Sequence, residues 1–532
     1  MLGSSRLPAA RNISCESIEM SEHHEPQGNC GKPSLARRFF LKSAVCLGAF
    51  GSAGLVPRHT LAGMTGDAAL GAWGSLMDWP IIPIHMVMTR DGRIMSYGST
   101  TAGQQSGYFV YDIWDPNDGP EGYHLTLPNG TSTDVFCSAQ VLLPDVGDIL
   151  IAGGDMWTGA KTLNKGIDNS TIYLTRQKRL VSGRLMNRAR WYATVTTLPN
   201  GESYIQGGDK GTDHPEIRGR DGSFRLLEGA DTSKLSYYYP RNWVGPDGLV
   251  FGLADRKAYR VDPSGSGRVE DLGTMRGTWG KSSTEAMFQP GKILRVAGGG
   301  TRPEPGNMAS VVDINGPVPT FTQTERLPKA LHWSTATLLA DGKVVVTGGS
   351  KGYNELVEVN YNAFIWDPRT GRWTCGAATT SGRARLYHSA AILLADATVL
   401  VGGGGASGPQ NNLDAEIYYP PYLFDRNGQR AVRPAITATP PSLKAGRNFK
   451  INVDNGARIA RVTLVKTGSA THSFNMDQRF MELPFQRAGN TLAVTAPKNN
   501  RLAPPGYYLM FVIDQDGVPS VGKVMPMYIT AN

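Results

Sequence analysis

The sequence predicts an all-β protein, a seven-bladed β-propeller followed by an immunoglobulin-like β-sandwich. Three observations predict it. A strand ending in paired glycines recurs about every fifty residues, and strand-like runs far outnumber helical periodicity in a chain with 64 glycines. The rhythm then stops near residue 436, where short alternating runs continue to the end. At 532 residues the chain is long enough for more than one domain and a large buried core.

The first element, residues 1–62, reads as an address. "SLARRFFLKSAVCLGAFGSAGLV" sets Arg37 and Arg38 before Phe40-Leu41-Lys42 and a moderately apolar stretch of small residues. It resembles a twin-arginine export signal, with small residues near Ala62 offering a cleavage site. The apolar run is too short and glycine-rich to span a bilayer comfortably, so no transmembrane helix is expected in the mature protein; a retained amphiphilic anchor is the alternative. That route carries proteins already folded, so the resemblance implies a bacterial protein that is periplasmic, cell-surface or secreted. Losing residues 1–62 removes seven Lys/Arg and four Asp/Glu, which takes the formal charge from +9 to +6. The remainder has no basic run interleaved with aromatics, so nucleic acid is not an expected partner. Cys15, Cys30 and Cys46 belong to the leader; Cys137 and Cys375 remain, and in an exported protein they could pair.

The propeller is expected over residues 63–435. Its strand ends are "ILIAGGD" (Gly153), "YIQGGD" (Gly207), "LRVAGGG" (Gly298), "VVVTGGS" (Gly348) and "VLVGGGG" (Gly402), with weaker members at Gly98 and Gly252. Turns such as "LPNG", "GPDG" and "LADG" lie upstream of most of them, joining two β-rich runs. Four short strands per repeat with a glycine pair at a fixed point is the kelch pattern, and seven such sheets close radially. Residues 436–532 follow as the β-sandwich, with "ARVTLVKTG" and "YYLMFVIDQDG" as its clearest strands.

Counting back from the glycine pairs lines up unusual residues. Tyr192, Ser283, Trp333 and Tyr387 each lie fifteen residues before the first glycine of their pair, and Cys137 lies sixteen before Gly153, where the turn is one residue longer. Equivalent positions of a closed repeat share a height and radius, so these side chains should ring one mouth of the propeller axis. Tyr192 and Tyr387 would meet there, and Cys137, one blade from Tyr192, could touch it. Such a ring may be read two ways, as chemistry or as aromatics that bind ligands and fill space.

Four segments, "DVFCSAQVLLP", "RWYATVTTLPNGESYIQGGD", "RLYHSAAILLADATVLVGGGG" and "THSFNMDQRFMELPF", resemble in sequence and order the copper radical oxidases, the galactose oxidase and glyoxal oxidase family, and more closely the glyoxal oxidase branch. The likeness covers the propeller and the C-terminal domain, without the carbohydrate-binding domain that precedes the propeller in galactose oxidase. It implies one copper ion held by Tyr192, Tyr387, His388 and His472, the last on a loop of the C-terminal domain that reaches into the axis. It implies a thioether between Cys137 and the Tyr192 ring, which stabilises a radical there, and Tyr387 as general base. Two imidazoles and phenolate oxygens suit copper(II), and a hard cation would ask for carboxylates that these segments lack. The implied reaction oxidises small aldehydes such as glyoxal, methylglyoxal or glycolaldehyde, or primary alcohols, and reduces O2 to H2O2; a cell-surface polysaccharide is a further candidate substrate. Cys375 is left as a lone thiol, with a Cys137–Cys375 disulfide as the rival.

Around the centre, Trp333, Trp279, Arg241 and Trp243 are the expected substrate-pocket residues. His85, His124, His214 and His332 fall outside the family motifs and read as ordinary polar residues. Galactose oxidase stacks a tryptophan over the modified tyrosine from a loop soon after its blade; the corresponding "GGDKGTDHPE" holds no aromatic ring but His214. The alternative to the oxidase is a non-catalytic kelch propeller that binds carbohydrate or protein. Such a binder has no reason to keep Cys137, Tyr192, Tyr387, His388 and His472 together.

Overall fold

Seven short strands, each buried along almost its whole length, organise the chain: β1 (His85–Met88), β2 (Ala139–Leu142), β3 (Ala193–Thr197), β4 (Arg241–Val244), β5 (Thr284–Gln289), β6 (Thr335–Leu338) and β7 (Ser389–Leu393). The computed structural model describes residues 66–299 and 305–529. Each of β1 to β6 opens an antiparallel run of four strands laid down in chain order, and burial falls outward. The first strand of the sixth run, Thr335–Leu338, is buried throughout, whereas the fourth, Arg372–Ala378, is mostly exposed or half-buried. Small and β-branched residues fill the inner strands ("ATVTT", "TATL", "SAAIL") because strands crowded on both faces leave room for little else.

The expected turns join first to second strands. In "LPNG" the Gly201 N–H donates to Leu198 at 2.9 Å with φ of 83°, and in "LADG" the Gly342 N–H donates to Leu339 at 3.0 Å with φ of 87°. The seventh sheet has Ala397 in the same left-handed slot, φ 66°. This sheet is completed by the start of the described chain, since Ala72–Trp73 and Met77–Asp78 both pair with Asp414–Tyr419.

The glycine pairs bind one sheet to the next. Gly154, Gly208, Gly298 and Gly349 donate their N–H to the carbonyls of Arg190, Tyr237, Leu331 and Arg385, each in the segment that leads into the following sheet. A side chain would prevent this approach, because a Cβ on Gly153 would stand 2.1 Å from the Arg190 carbonyl oxygen. The inner strands pack side by side in the order β1-β2-β3-β4 and β5-β6-β7, and β7 packs back on β1.

Residues 436–528 form two further sheets around an apolar core of their own, which includes Ile451, Leu464, Leu492 and Met510. One long hairpin leaves them, made of β8 (Ser469–Thr471) and β9 (Phe474–Leu483). The far end of β9 pairs with Ile459–Lys466, while its near end runs parallel to β5. β8 pairs with β1, His85 opposite Thr471. Side chains extend the splice: Ser469 donates to the Gln140 carbonyl on β2, Arg479 to Val244 on β4, and the Gln478 amide both donates to Ala336 and accepts from Leu338 on β6. The hairpin therefore plugs the space between the inner strands. The leader expected over residues 1–62 lies outside the described residues. Cys375 is half-buried and is not the lone thiol expected: it is disulfide-bonded, and not to Cys137, whose thiol is free.

Candidate metal centre

Five residues at the starts of inner strands take left-handed backbone: Cys137 (φ 52°), Tyr192 (72°), Tyr239 (38°), Trp333 (59°) and His388 (68°). Non-glycine residues rarely adopt this region, and its recurrence at one level of successive sheets marks a position where each strand is bent inward by its neighbours. Backbone bonds tie the level together, Tyr192 N–H to Cys137 O at 2.9 Å and Tyr239 N–H to Tyr192 O at 2.7 Å. The register corrects one repeat equivalence. Ala193 pairs with Gly207 and Ser389 with Gly403, so the counterpart of Tyr192 is His388; the extra glycines of "VGGGG" shift the count by one and leave Tyr387 a residue earlier.

His472 comes from the other direction. It and Ser473 are the two turn residues of the β8–β9 hairpin, both left-handed (46° and 63°), as a tight type I′ hairpin turn requires. The turn carries His472 to the level of the strand starts.

There the expected residues meet. The Tyr192 and Tyr387 hydroxyls are 2.6 Å apart. Cys137 Sγ lies 3.4 Å from His472 Nε2 and 3.7 Å from His388 Nε2. The Tyr387 ring is 3.9 Å from that of His388 and 5.1 Å from that of His472, centroid to centroid. Hydrogen bonds fix both imidazoles. His388 Nδ1–H donates to the Gly405 carbonyl at 2.6 Å. His472 Nδ1–H donates to Thr471 Oγ1 at 2.5 Å, because that hydroxyl spends its own proton on the Ile84 carbonyl at 3.0 Å. Each ring therefore keeps a lone pair on Nε2, the state in which imidazole binds a metal.

Burial keeps the set uncharged. It lowers His388 to about 4 and His472 well below the usual imidazole range, and it raises the Tyr192, Tyr387 and Cys137 groups well above theirs. A cation entering this nest of lone pairs would reverse that balance and favour phenolate and thiolate.

Two neighbours were not expected from the sequence. The Trp191 ring lies over Tyr192, centroids 4.0 Å apart and planes 31° from parallel, and the Tyr238 ring stands 4.6 Å from Tyr192. His85 also belongs here rather than among the ordinary polar histidines, for its ligand nitrogen, Cys137 Sγ and that of His472 all lie within 4.8 Å of one another. The other three stand apart: His124 pairs with Asp112, His214 with Asp213, and His332 with the Ser282 hydroxyl.

The expected pocket residues divide. Trp333 is buried with its ring 4.7 Å from Tyr387. Arg241 is buried among its own partners: it bonds Glu285 at 3.0 Å and the carbonyls of Tyr239, Lys281, Ser283 and His472, with its guanidinium over Phe474. Trp243 is buried against the same Phe474, and Trp279 donates to the Arg276 carbonyl beneath the Arg295 guanidinium. These three brace the hairpin and the fifth sheet.

Residues 433–527 match the family described as galactose oxidase-like, early set domain. Across the chain, a galactose oxidase of Gibberella zeae is 27% identical over 504 residues, covering 86% of this chain and 70% of that protein. The aldehyde oxidase GLOX1 of Arabidopsis thaliana is 26% identical over 454 residues, 74% of this chain and 72% of its own length. The aldehyde oxidase GLOX of Vitis pseudoreticulata is 27% identical over 522 residues, 86% of this chain and 98% of that one. Among solved structures, a fungal alcohol oxidase of the AA5 family in complex with copper superposes with a TM-score of 0.76 at 23% identity, covering 86% of this chain and 99% of the other.

Proposed function

We propose, from the galactose oxidase-like domain at residues 433–527 and the likeness of the chain to galactose and aldehyde oxidases, that it is a copper radical oxidase of the galactose oxidase and glyoxal oxidase family. It oxidises small aldehydes of the glyoxal, methylglyoxal or glycolaldehyde type, as their hydrates, or primary alcohols, and reduces O2 to H2O2. In this reading residues 63–435 are a seven-bladed kelch-type propeller and residues 436–532 an immunoglobulin-like sandwich that lends His472. The protein is exported by a twin-arginine route and works outside the cytoplasm.

One observation carries the proposal. Cys137, Tyr192, the Tyr387–His388 pair and His472 arrive from four distant segments and converge, with hydroxyls 2.6 Å apart and both imidazoles presenting Nε2 lone pairs. The donor set fits copper(II), which favours a few nitrogen and oxygen ligands in a tetragonal field. Tyr192, Tyr387, His388 and His472 would hold the ion. When bound, copper together with the oxidised Tyr192 ring supplies a two-electron acceptor that dioxygen can regenerate.

The remaining work falls to the side chains. Tyr387 is half-buried and would take the hydroxyl proton of a bound alcohol or aldehyde hydrate, with the Tyr192 hydroxyl 2.6 Å away as its hydrogen-bond partner. Trp191 and Tyr238 flank the Tyr192 ring and keep water from it. Cys137 would join that ring once: the S–H and a ring C–H are lost, a C–S bond forms, and two electrons and two protons convert O2 to H2O2.

The test is peroxide release by the copper-loaded protein over a panel of glyoxal, methylglyoxal, glycolaldehyde, simple primary alcohols and galactose. Tyr387→Phe should lower kcat by about 10²- to 10⁴-fold, the usual worth of a general base. A copper-loaded protein that releases no peroxide with any member of the panel is a binder, and the proposal is wrong.

A further inference from the structure

Behind Cys137, on the first inner strand, His85 is fully buried and stacked flat on Tyr97, rings 4.4 Å apart and 4° from parallel. Its tautomer follows from its neighbours. The Gln140 amide nitrogen donates to the Ala470 carbonyl at 3.3 Å, and that carbonyl can only accept, so the amide orientation is fixed. Gln140 Oε1 must then accept both from the Tyr97 hydroxyl at 3.2 Å and from His85 Nδ1–H at 2.9 Å. His85 Nε2 is left as a bare lone pair, and it is buried with no hydrogen-bond partner among the described residues. A buried nitrogen with nothing to bind is costly, about 1–3 kcal/mol, and asks for an explanation.

The explanation lies beside it. The ligand nitrogens of His85 and His472 and the sulfur of Cys137 are mutually within 4.8 Å and buried completely. Nε2 of His472 is likewise a lone pair, and Cys137 Sγ stands 3.4 Å from it. Two neutral imidazoles and one sulfur form a soft, low-coordinate set, with His388 Nε2 farther from the sulfur at 3.7 Å and the Tyr192 and Tyr239 hydroxyls beside it. Such a set suits copper(I), whereas copper(II) prefers more nitrogen and oxygen donors in a tetragonal field.

We propose that His85, Cys137 and His472 form a binding site for copper(I), distinct from the tyrosine-bearing site for copper(II) and sharing only His472 with it. The site takes the reduced ion while Cys137 is still unlinked, its S–H proton leaving to solvent as the sulfur binds, and it is dismantled when Cys137 becomes a thioether. His85 is thus a metal ligand of the immature protein. The inference rests on the oxidase reading for its place in the life of the protein, but the site itself stands on the three donors.

The test titrates copper(I) into the metal-free, unlinked full-length protein without oxygen, against a chromophoric copper(I) chelator, with copper(II) titrated separately. His85→Ala should weaken copper(I) binding by about 10- to 100-fold and change copper(II) binding less than threefold, while His388→Ala should do the reverse. X-ray absorption of the copper(I)-loaded wild type should show one sulfur neighbour beside nitrogen, absent in Cys137→Ser. Copper(I) with no sulfur neighbour in the wild type, or equal copper(I) affinity in wild type and His85→Ala, overturns the proposal. The oxidase reading fails separately, if copper(II) raises no phenolate-to-copper absorption; the copper(I) result is read independently of that.

Discussion

Trp191 and Tyr192 are sequence neighbours whose rings lie on the same side, 4.0 Å apart. In an extended strand adjacent side chains point to opposite faces, and the left-handed φ of 72° at Tyr192 cancels that alternation. Trp191 thereby covers one face of the Tyr192 ring. Such a ring contact is worth about 1 kcal/mol, so Trp191→Ala should make the oxidised Tyr192 decay about fivefold faster while copper(II) affinity stays unchanged. The check is the decay of radical absorption after chemical oxidation; equal lifetimes would remove Trp191 from the account. Tyr192, Tyr387 and Cys137 were legible in the sequence because each lies at a near-constant offset from a glycine pair, and His388 only through the likeness of its segment to the family. Trp191 was not, because its position depends on one backbone angle. His85 was not, because its repeat ends in the weak glycine member at Gly98 and it pairs with residues more than 380 positions away.

The decisive element is the β8–β9 hairpin, which bonds to six of the seven inner strands, β1 to β6. Arg241 secures its tip through the His472 carbonyl and Phe474, and ties it to Glu285. Arg241→Met should cost about 3 kcal/mol, because it strands several carbonyls and weakens a buried ion pair. The denaturant midpoint of the metal-free protein measures this; a cost below about 1 kcal/mol would mean the tip is held by the strands alone. The sequence marked "THSFNMDQRF" through its likeness to a family segment, and it offered Arg241 and Trp243 as pocket residues. It did not mark their task. A His-Ser turn lacks the Asn-Gly signature of such a hairpin, and the parallel pairing of β9 with β5 has no local pattern.

At the scale of the molecule, each of the seven glycine-marked strand ends falls in a short antiparallel run of an all-β chain, and the periodicity alone was enough to mark these runs. The completion of the seventh sheet by Ala72–Trp73 and Met77–Asp78 was not legible, since two-residue strands carry no period. Burying neutral imidazoles in the middle of this assembly couples stability to pH. Burial lowers His85 to about 3 and His332 and His388 to about 4, so the unfolded chain binds their protons first as pH falls below 6.5. Asp134, raised to about 7, and Asp155, also raised by burial, oppose them. The metal-free protein should therefore lose at least ~3 kcal/mol between pH 6.5 and 4, read from denaturant midpoints. A flat profile across that range would mean the imidazoles are already protonated in the fold.

The claim on which the oxidase reading turns is the bond between Cys137 and Tyr192. Its most direct test is the exact mass of the mature protein and of the peptides that carry these residues, before and after copper loading in air. The expected result is a loss of two hydrogens with the peptides joined, abolished in Cys137→Ser. Peptides that remain separate and unmodified with copper bound would contradict the radical mechanism.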